Sequence, residues 1–167
     1  QMTVAQAHID HHKHVQSLYE ELLKDVKGVH IHKQPADKRY DSNFWLCTAT
    51  IDEDVKVVGQ ENAYQEVIKT AVGGAAGVIK AVNSATTDCQ PNENVEALRV
   101  FMLNNKIEAR PVWKPMHKQP VYVDAPCYTN GIEEDIFKIG FCLPAGPYVI
   151  DDDVKYIVEK IKEAIIG

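Results

Sequence analysis

Apolar residues near the start of the chain recur at three- and four-residue steps, the spacing of one face of an α-helix. Val4–Lys27 carries this pattern at Val15, Leu18, Leu22 and Val26. Gly28 follows, and glycine commonly ends a helix. The pattern predicts one long amphipathic helix within residues 1–28.

Two later stretches are rich in the residues that favour β-strands. Val29–Lys33 is a short run with β-branched side chains, and Asn43–Ile51 combines aromatic with β-branched residues. The polar sequence between them, PADKRYDS, is typical of a loop. We therefore expect two strands that can pair directly.

Residues 52–90 have a mixed pattern. Gln60–Val72 has helical spacing, and the glycine-rich Gly73–Gly77 interrupts it. Val78–Cys89 could form a helix followed by a strand, but its pattern does not establish this. We expect this region to form an insertion with its own apolar positions.

The next elements alternate again between helix and strand. Asn92 can cap a helix, and Asn104 and Asn105 can end it. The apolar face of this helix consists of Val95, Leu98, Phe101 and Met102. The pattern of Lys106–Val112 then predicts another strand.

The last part of the chain predicts a helix, a strand and a helix. Glu133–Ile139 has the pattern of a short helix, and Phe141–Leu143 is an apolar triplet that Pro144 closes. Asp151–Asp153 place negative charge where the dipole of a final helix favours it. The buried stripe of that helix is expected to be Val154, Ile157, Val158, Ile161 and Ile165.

The order of these elements predicts an α+β fold, a small mixed or largely antiparallel sheet packed by helices. With 167 residues, of which 45% are hydrophobic and 25% charged, the chain fits one domain. The net charge of -6 argues against nucleic acid as a partner, because such surfaces need clustered cations. No apolar run approaches the roughly 20 residues of a membrane span.

The four cysteines are Cys47, Cys89, Cys127 and Cys142, which show no CxxC spacing. Free thiols in a cytoplasmic protein are therefore the simplest interpretation. Cys127 or Cys142 could in principle pair with His117 as nucleophile and base, but no local signature surrounds either thiol. Cys142 lies in an apolar strand, where an inert buried cysteine is the ordinary outcome.

Two further patterns have weak functional interpretations. His8 and His12 are one helical turn apart and could clamp a metal, but HxxxH without a nearby carboxylate is more often a polar helix face. Gly73–Gly77 lacks the spacing of a phosphate-binding loop and favours a turn. We expect no metal site.

The segment from Arg110 to His117 is the strongest candidate for binding. Arg110 offers a planar donor for phosphate or carboxylate, Trp113 a flat apolar face, and His117 a donor or acceptor near neutral pH. Prolines stiffen the segment and reduce the entropy that binding must offset. From the residues alone, the competing interpretation is a core Trp113 with Arg110 as an exposed salt-bridge partner.

The sequence resembles the DegT/StrS family of pyridoxal-phosphate sugar aminotransferases. The family's IxxRPxxKPxHxQP-like segment corresponds to Ile107–Pro120, with every position filled. Its SN-x-W strand start corresponds to Ser42, Asn43 and Trp45. Its closing LP-G pattern with an acidic helix start corresponds to Leu143, Pro144, Gly146 and Asp151–Asp153.

The resemblance implies the C-terminal domain of a dimeric enzyme. Such enzymes hold pyridoxal phosphate on a lysine of a large N-terminal domain and transfer an amino group from glutamate to a nucleotide-linked keto-sugar. It implies that the substrate-binding residues here are His117, Trp113, Arg110, Lys114 and Asn43, with no catalytic residue in this chain.

Two departures from the family qualify this expectation. The lysine-bearing N-terminal domain is expected to be absent from residues 1–167, so the chain alone should be inactive. Residues 52–90 are longer than the family's usual connection, and they could cover the substrate entrance or extend a dimer surface. The alternative interpretation is a non-catalytic binding or oligomerisation module on the same fold.

Overall fold

The helices and strands described here come from a computed structural model that covers residues 2–64 and 89–166. Within those residues the helices are α1 (Ala5–Leu23), α2 (Glu93–Asn104), α3 (Ile132–Ile139) and α4 (Asp151–Ala164). The strands are β1 (Val29–Ile31), β2 (Cys47–Ile51), β3 (Lys56–Val57), β4 (Arg110–Pro111), β5 (Gly140–Leu143) and β6 (Ile165–Ile166).

The main sheet has four strands in the order β1-β2-β5-β4, and every neighbouring pair is antiparallel. In register, Val29 lies opposite Ile51, and Arg110 lies opposite Cys142. β3 and β6 form a separate antiparallel pair. The α+β class, the antiparallel sheet and the direct pairing of the first two strands are confirmed.

The core lies between the main sheet and the helices α1, α2 and α4. Tyr19 on α1 is fully buried, and its hydroxyl donates to the Pro144 carbonyl at 2.9 Å, so the first helix is tied to the end of β5. The stripe predicted for α4 is confirmed for four members, which are at most 3% exposed: Val154, Ile157, Val158 and Ile161. The fifth, Ile165, follows the helix in β6 and is half-buried.

The strand predicted over Asn43–Ile51 is too long, because β2 begins only at Cys47. Phe44 has a φ of 46°, which no extended strand can contain. The Ser42 hydroxyl accepts from the Phe44 N–H at 3.1 Å, and the Asn43 side chain accepts from the Trp45 N–H at 3.2 Å. These local bonds make a turn of the residues that precede β2.

The strand predicted over Lys106–Val112 is also wrong in its extent, because only Arg110–Pro111 pairs with β5 as a strand. Lys106 has a φ of 63°, and its N–H bonds the Leu103 carbonyl at 2.9 Å. The chain therefore turns directly after α2 and reaches the sheet later than the apolar pattern suggests.

The first helix ends at Leu23, five residues before the glycine expected to stop it. Asn92 does precede α2, but its side chain makes no cap bond and reaches Glu53 Oε1 at 3.4 Å instead. Asn105 follows the end of α2, as predicted.

Part of the region 52–90 is described. β3 pairs with the chain end at β6, and a short 3-10 helix follows at Gln60–Asn62. The rest of the helix predicted over Gln60–Val72, the break at Gly73–Gly77 and most of Val78–Cys89 lie outside the described residues. In the described part of the chain, no helix has the length and apolar character needed to cross a bilayer.

Candidate functional site

The segment after β4 carries most of the predicted binding residues. The Val112 N–H still donates to the Gly140 carbonyl of β5 at 3.2 Å, and the chain then leaves the sheet. Two short 3-10 helices follow, Met116–Lys118 and Pro120–Tyr122. Pro115 and Pro120 precede or begin them and have no N–H to offer a strand ladder.

Trp113 is not a core residue, because 65% of it is exposed. Its ring lies against that of Trp45, with centroids 6.0 Å apart and planes tilted by 33°. Trp45 is 62% exposed. The structure thus brings together two indoles from distant parts of the chain and leaves both open to solvent.

These two rings line a cleft of about 390 Å³, together with Leu46, Arg110, Pro111, Val112 and Cys142. Among the side chains of these residues, the polar groups are the Arg110 guanidinium, the two indole N–H groups and the Cys142 thiol. Below we call it the tryptophan cleft.

Arg110 is an exposed salt-bridge partner, as the competing interpretation of the sequence expected. Its Nε donates to Glu108 Oε1 at 2.8 Å, and its Nη2 contacts the same oxygen. A guanidinium carries five N–H donors, so an anion in the cleft can be bound without loss of the Glu108 contact.

His117 lies in a different environment, among carboxylates of α3. Its Nε2 is 2.9 Å from Glu134 Oε1, and its Nδ1 is 3.8 Å from Glu133 Oε1. The side chain is only 18% exposed. Since an ionised carboxylate only accepts hydrogen bonds, Nε2 carries the proton of the shorter contact.

The carboxylates of this group are stabilised in their charged form. The hydrogen bond from His117, with a further contribution from Lys118, holds the pKa of Glu134 below its usual range. A hydrogen bond from the Thr129 hydroxyl is the main cause that lowers the pKa of Glu133. His117 therefore ties the segment after Trp113 to the first turn of α3.

His117 and Glu133 line a second cavity of about 450 Å³, with Met116, Tyr122, Cys127, Tyr128 and three further residues. Neither Trp113 nor Arg110 is part of that lining. The predicted residues are thus divided between two neighbouring stretches of chain, Arg110 and Trp113 in the tryptophan cleft and His117 in the second cavity.

The two remaining predicted residues have structural contacts. The Asn43 side chain accepts from the Trp45 N–H, and so fixes the turn that presents that indole. Lys114 is half-buried, and its carbonyl accepts from the Gln119 amide at 3.0 Å.

The less favoured candidates are placed as follows. Cys127 shares the second cavity with His117, whereas Cys142 is buried, and burial raises its thiol pKa. The pKa of His12 is lowered mainly by burial, and further by the charges of the nearby His11 and His8. Within residues 2–64 and 89–166, no group of three or more potential ligands could hold a metal ion.

Sequence reasoning missed two parts of the arrangement. Trp45 falls within the strand predicted over Asn43–Ile51, although the Ser-Asn pair before it is a signal for a turn. The pattern of Glu133–Ile139 predicts only a helix, and nothing in the local sequence of Glu133 and Glu134 indicates contact with His117.

Comparison with known proteins adds a family to this geometry. The model of the DegT/DnrJ/EryC1/StrS aminotransferase family matches residues 60–162, more than half of the chain. EpsN of Bacillus subtilis, whose name describes a pyridoxal phosphate-dependent aminotransferase, is 40% identical over 62 residues, 35% of this chain and 16% of EpsN. GDP-perosamine synthase of Escherichia coli O157:H7 is 37% identical over 71 residues, 42% of this chain and 19% of the synthase.

A solved structure agrees with the fold. The DegT DnrJ EryC1 StrS aminotransferase of Brucella abortus superposes with a TM-score of 0.61 at 16% identity. The match covers 97% of this chain and 32% of that protein. The chain therefore spans about a third of the length of that aminotransferase.

Proposed function

Because this chain belongs to the DegT/DnrJ/EryC1/StrS aminotransferase family, we propose that it is the C-terminal domain of a pyridoxal phosphate-dependent sugar aminotransferase. The family match over residues 60–162 is the observation that carries this proposal. The substrate is a nucleotide-linked keto-sugar and the amino donor is glutamate. The product serves the assembly of a polysaccharide or glycan.

The substrate class rests on the relatives and on the chemistry of the site. One relative is named for a GDP-linked amino sugar. The tryptophan cleft offers flat apolar faces beside a guanidinium, which suits a ligand with an aromatic ring and a phosphate. We assign Arg110, Trp113, Lys114, His117 and Asn43 to the substrate side, with Asn43 acting through the turn that it fixes.

Pyridoxal phosphate supplies the electron sink for the carbanion when it is bound. The two cavities described above do not fit this group, because a Schiff base needs a lysine amine and neither lining includes a lysine. We propose that the cofactor is bound mainly by the large N-terminal domain that the resemblance to the family implies. No reaction step is assigned to residues 1–167, and the chain alone is expected to be inactive.

The expected setting is a cytoplasmic homodimer. No disulfide joins the four cysteines, all of which lie in the described residues, and three of them are buried, as suits a reducing compartment. The alternative function, a binding or oligomerisation module without chemistry, predicts that a protein carrying this chain neither binds pyridoxal phosphate nor reacts with glutamate.

The test is the first half of the reaction in the longest protein that carries this chain. Addition of glutamate should convert the bound cofactor from its aldehyde to its amine form, with a change in its absorption spectrum. A nucleotide-linked keto-sugar should then reverse that change. If neither change occurs in a protein that has bound the cofactor, the proposed function is wrong.

A contact role for His117 is tested in the same assay. His117→Ala should raise the KM for the nucleotide sugar by roughly tenfold, the value of a hydrogen bond to a charged group. His117→Gln keeps a donor toward Glu134 and should recover part of the loss. If neither variant changes KM or kcat, His117 does not belong to the site.

A further inference from the structure

The chain has two tryptophans, and both lie in one exposed cleft. Large aromatic side chains are usually buried, because their transfer from water is favourable. Here Trp45 and Trp113 remain 62% and 65% exposed, whereas core residues such as Tyr19 and Met102 are fully buried. Clustered exposed apolar surface of this kind marks a site of interaction.

The backbone holds both rings in place. Trp45 follows a turn in which the Ser42 and Asn43 side chains each accept a bond from the N–H group two residues later, with Phe44 in the left-handed region. Trp113 follows Val112, whose N–H is bonded to β5. A ligand that uses these rings would therefore lose little conformational freedom of the protein.

The geometry of the pair limits how a ligand can lie. Carbon atoms of stacked rings approach to about 3.5 Å, so a ring inserted between two indoles needs them about 7 Å apart and parallel. The observed 6.0 Å and 33° leave no room for insertion. A planar ligand must instead lie across the outer faces of the pair, within the volume of about 390 Å³.

The lining distinguishes a nucleobase from a sugar. Sugar hydroxyls need hydrogen-bond partners when they are buried, and the side chains of the lining provide few: the Arg110 guanidinium, the indole N–H groups and the weakly bonding Cys142 thiol. A nucleobase has a flat π-face that stacks favourably on an aromatic side chain. Arg110 is placed to meet the phosphates that accompany a base.

We propose that the tryptophan cleft binds the base of the nucleotide-linked sugar, with Trp45 and Trp113 as a stacking surface and Arg110 toward the diphosphate. This inference rests on the proposed function. It adds Trp45 as a binding residue, the nucleobase as the group that the cleft holds, and the direction in which the nucleotide sugar lies. The keto-sugar would extend away from the cleft.

The experiment uses the intact protein and UDP, GDP and TDP as probes. Calorimetric titration should show saturable binding of at least one of the three nucleotides, accompanied by quenching of tryptophan fluorescence. Pyrophosphate, which has no base, should bind at least tenfold more weakly than that nucleotide.

Variants then identify the surface. Trp45→Ala should weaken nucleotide binding by about tenfold, measured by calorimetry so that the lost fluorophore does not matter. Trp45→Phe keeps a flat face and should recover much of the affinity. Tyr148→Ala, which removes a ring that is 93% exposed but outside the lining, should leave the affinity unchanged.

Three results would overturn the inference: no binding of any of the three nucleotides, equal binding of pyrophosphate, or normal binding by Trp45→Ala. A change in self-association of Trp45→Ala without a change in nucleotide affinity would identify the cleft as a subunit interface instead. The glutamate half-reaction needs no nucleotide, so it separates failure of this inference from failure of the proposed function. If the Trp45→Ala protein completes the half-reaction and keeps a normal KM for the nucleotide sugar, the inference about the cleft is wrong and the proposed function stands.

Discussion

At the scale of single residues, the most consequential contact is that of His117 with the carboxylates of α3. The residue stands in the best-matching motif of the chain, yet its ring faces Glu134 and Glu133 rather than the tryptophan cleft. Its first effect is therefore to fix the segment that follows Trp113. Any contact with substrate would use the side of the ring that faces the second cavity.

This contact makes stability depend on pH in the acid range. The pKa of Glu134 is lower in the folded protein than its ordinary value of 4.5. The stabilisation is complete above that value and is lost as the pH falls through the folded pKa. Glu134→Gln should therefore flatten the loss of stability below about pH 4.5, as followed by chemical unfolding at a series of pH values.

The control for this prediction is Glu21→Gln, a change to an exposed carboxylate of α1. It should leave the acid dependence of the wild type unchanged. If Glu134→Gln also reproduces the wild-type curve, His117 does not stabilise the charged carboxylate in solution.

A second residue-level prediction concerns the bond that joins α1 to β5. Tyr19 is fully buried and donates to the Pro144 carbonyl, and burial raises its pKa far above the ordinary value. Tyr19→Phe should lower the free energy of unfolding by about 1–2 kcal/mol, because the carbonyl loses its donor. The hydroxyl of Tyr156 lies 3.4 Å from a carbonyl in an exposed setting, so Tyr156→Phe should change stability by less than about 0.5 kcal/mol. Equal effects of the two changes in urea unfolding would contradict the assigned bond.

At the scale of elements, the sequence predicted what periodicity controls. The helices α1, α3 and α4 and the strands β1 and β5 follow from apolar spacing that survives in the fold. The errors occur where single residues leave the regular backbone. Phe44 and Lys106 adopt positive φ values, and each shortens a strand that an apolar pattern extends.

The pair β3–β6 was not predicted, and for a different reason. Each strand has only two residues, and the partners come from opposite halves of the chain. No local pattern of two residues distinguishes a strand from a loop. Their pairing depends on the packing of α4, which delivers Ile165 to the place where Val57 lies.

Two glycines allow a matched test of the connections between elements. Gly28 and Gly59 have nearly equal φ values, 77° and 76°. A Cβ on Gly28 would collide with the side chain of Val55, whereas one on Gly59 would meet nothing within 4 Å. Gly28→Ala should cost about 2–4 kcal/mol, from backbone strain and overpacking, and Gly59→Ala only about 1 kcal/mol, from strain. Thermal and urea unfolding would compare them, and an equal cost would show that the α1–β1 turn is not as tightly packed as described.

At the scale of the whole molecule, the family could be identified from the motif, but the assembled surface could not. Trp45 and Trp113 lie far apart in the sequence, and their contact requires the turn before β2 and the departure of the chain after β4. His117 meets Glu134 because α3 leads directly into β5, the strand that pairs with β4. Such contacts follow from topology, which residue spacing does not encode.

The same scale decides how the chain relates to its family. The superposition on a solved aminotransferase covers 97% of this chain but only 32% of that protein. The two cavities that hold the predicted residues offer aromatic, cationic and imidazole groups. The partial coverage and these groups support the proposal that the chain is the substrate-facing domain of a larger enzyme.

The most direct measurement is to trap the cofactor in the longest protein that carries this chain. The protein is incubated with pyridoxal phosphate, reduced with borohydride and digested, and the modified lysine is located by mass spectrometry. We expect one stoichiometric label on a lysine outside residues 1–167, and no specific label when this chain is treated alone. A single labelled lysine within residues 1–167, or no label in the longer protein, would contradict the claim.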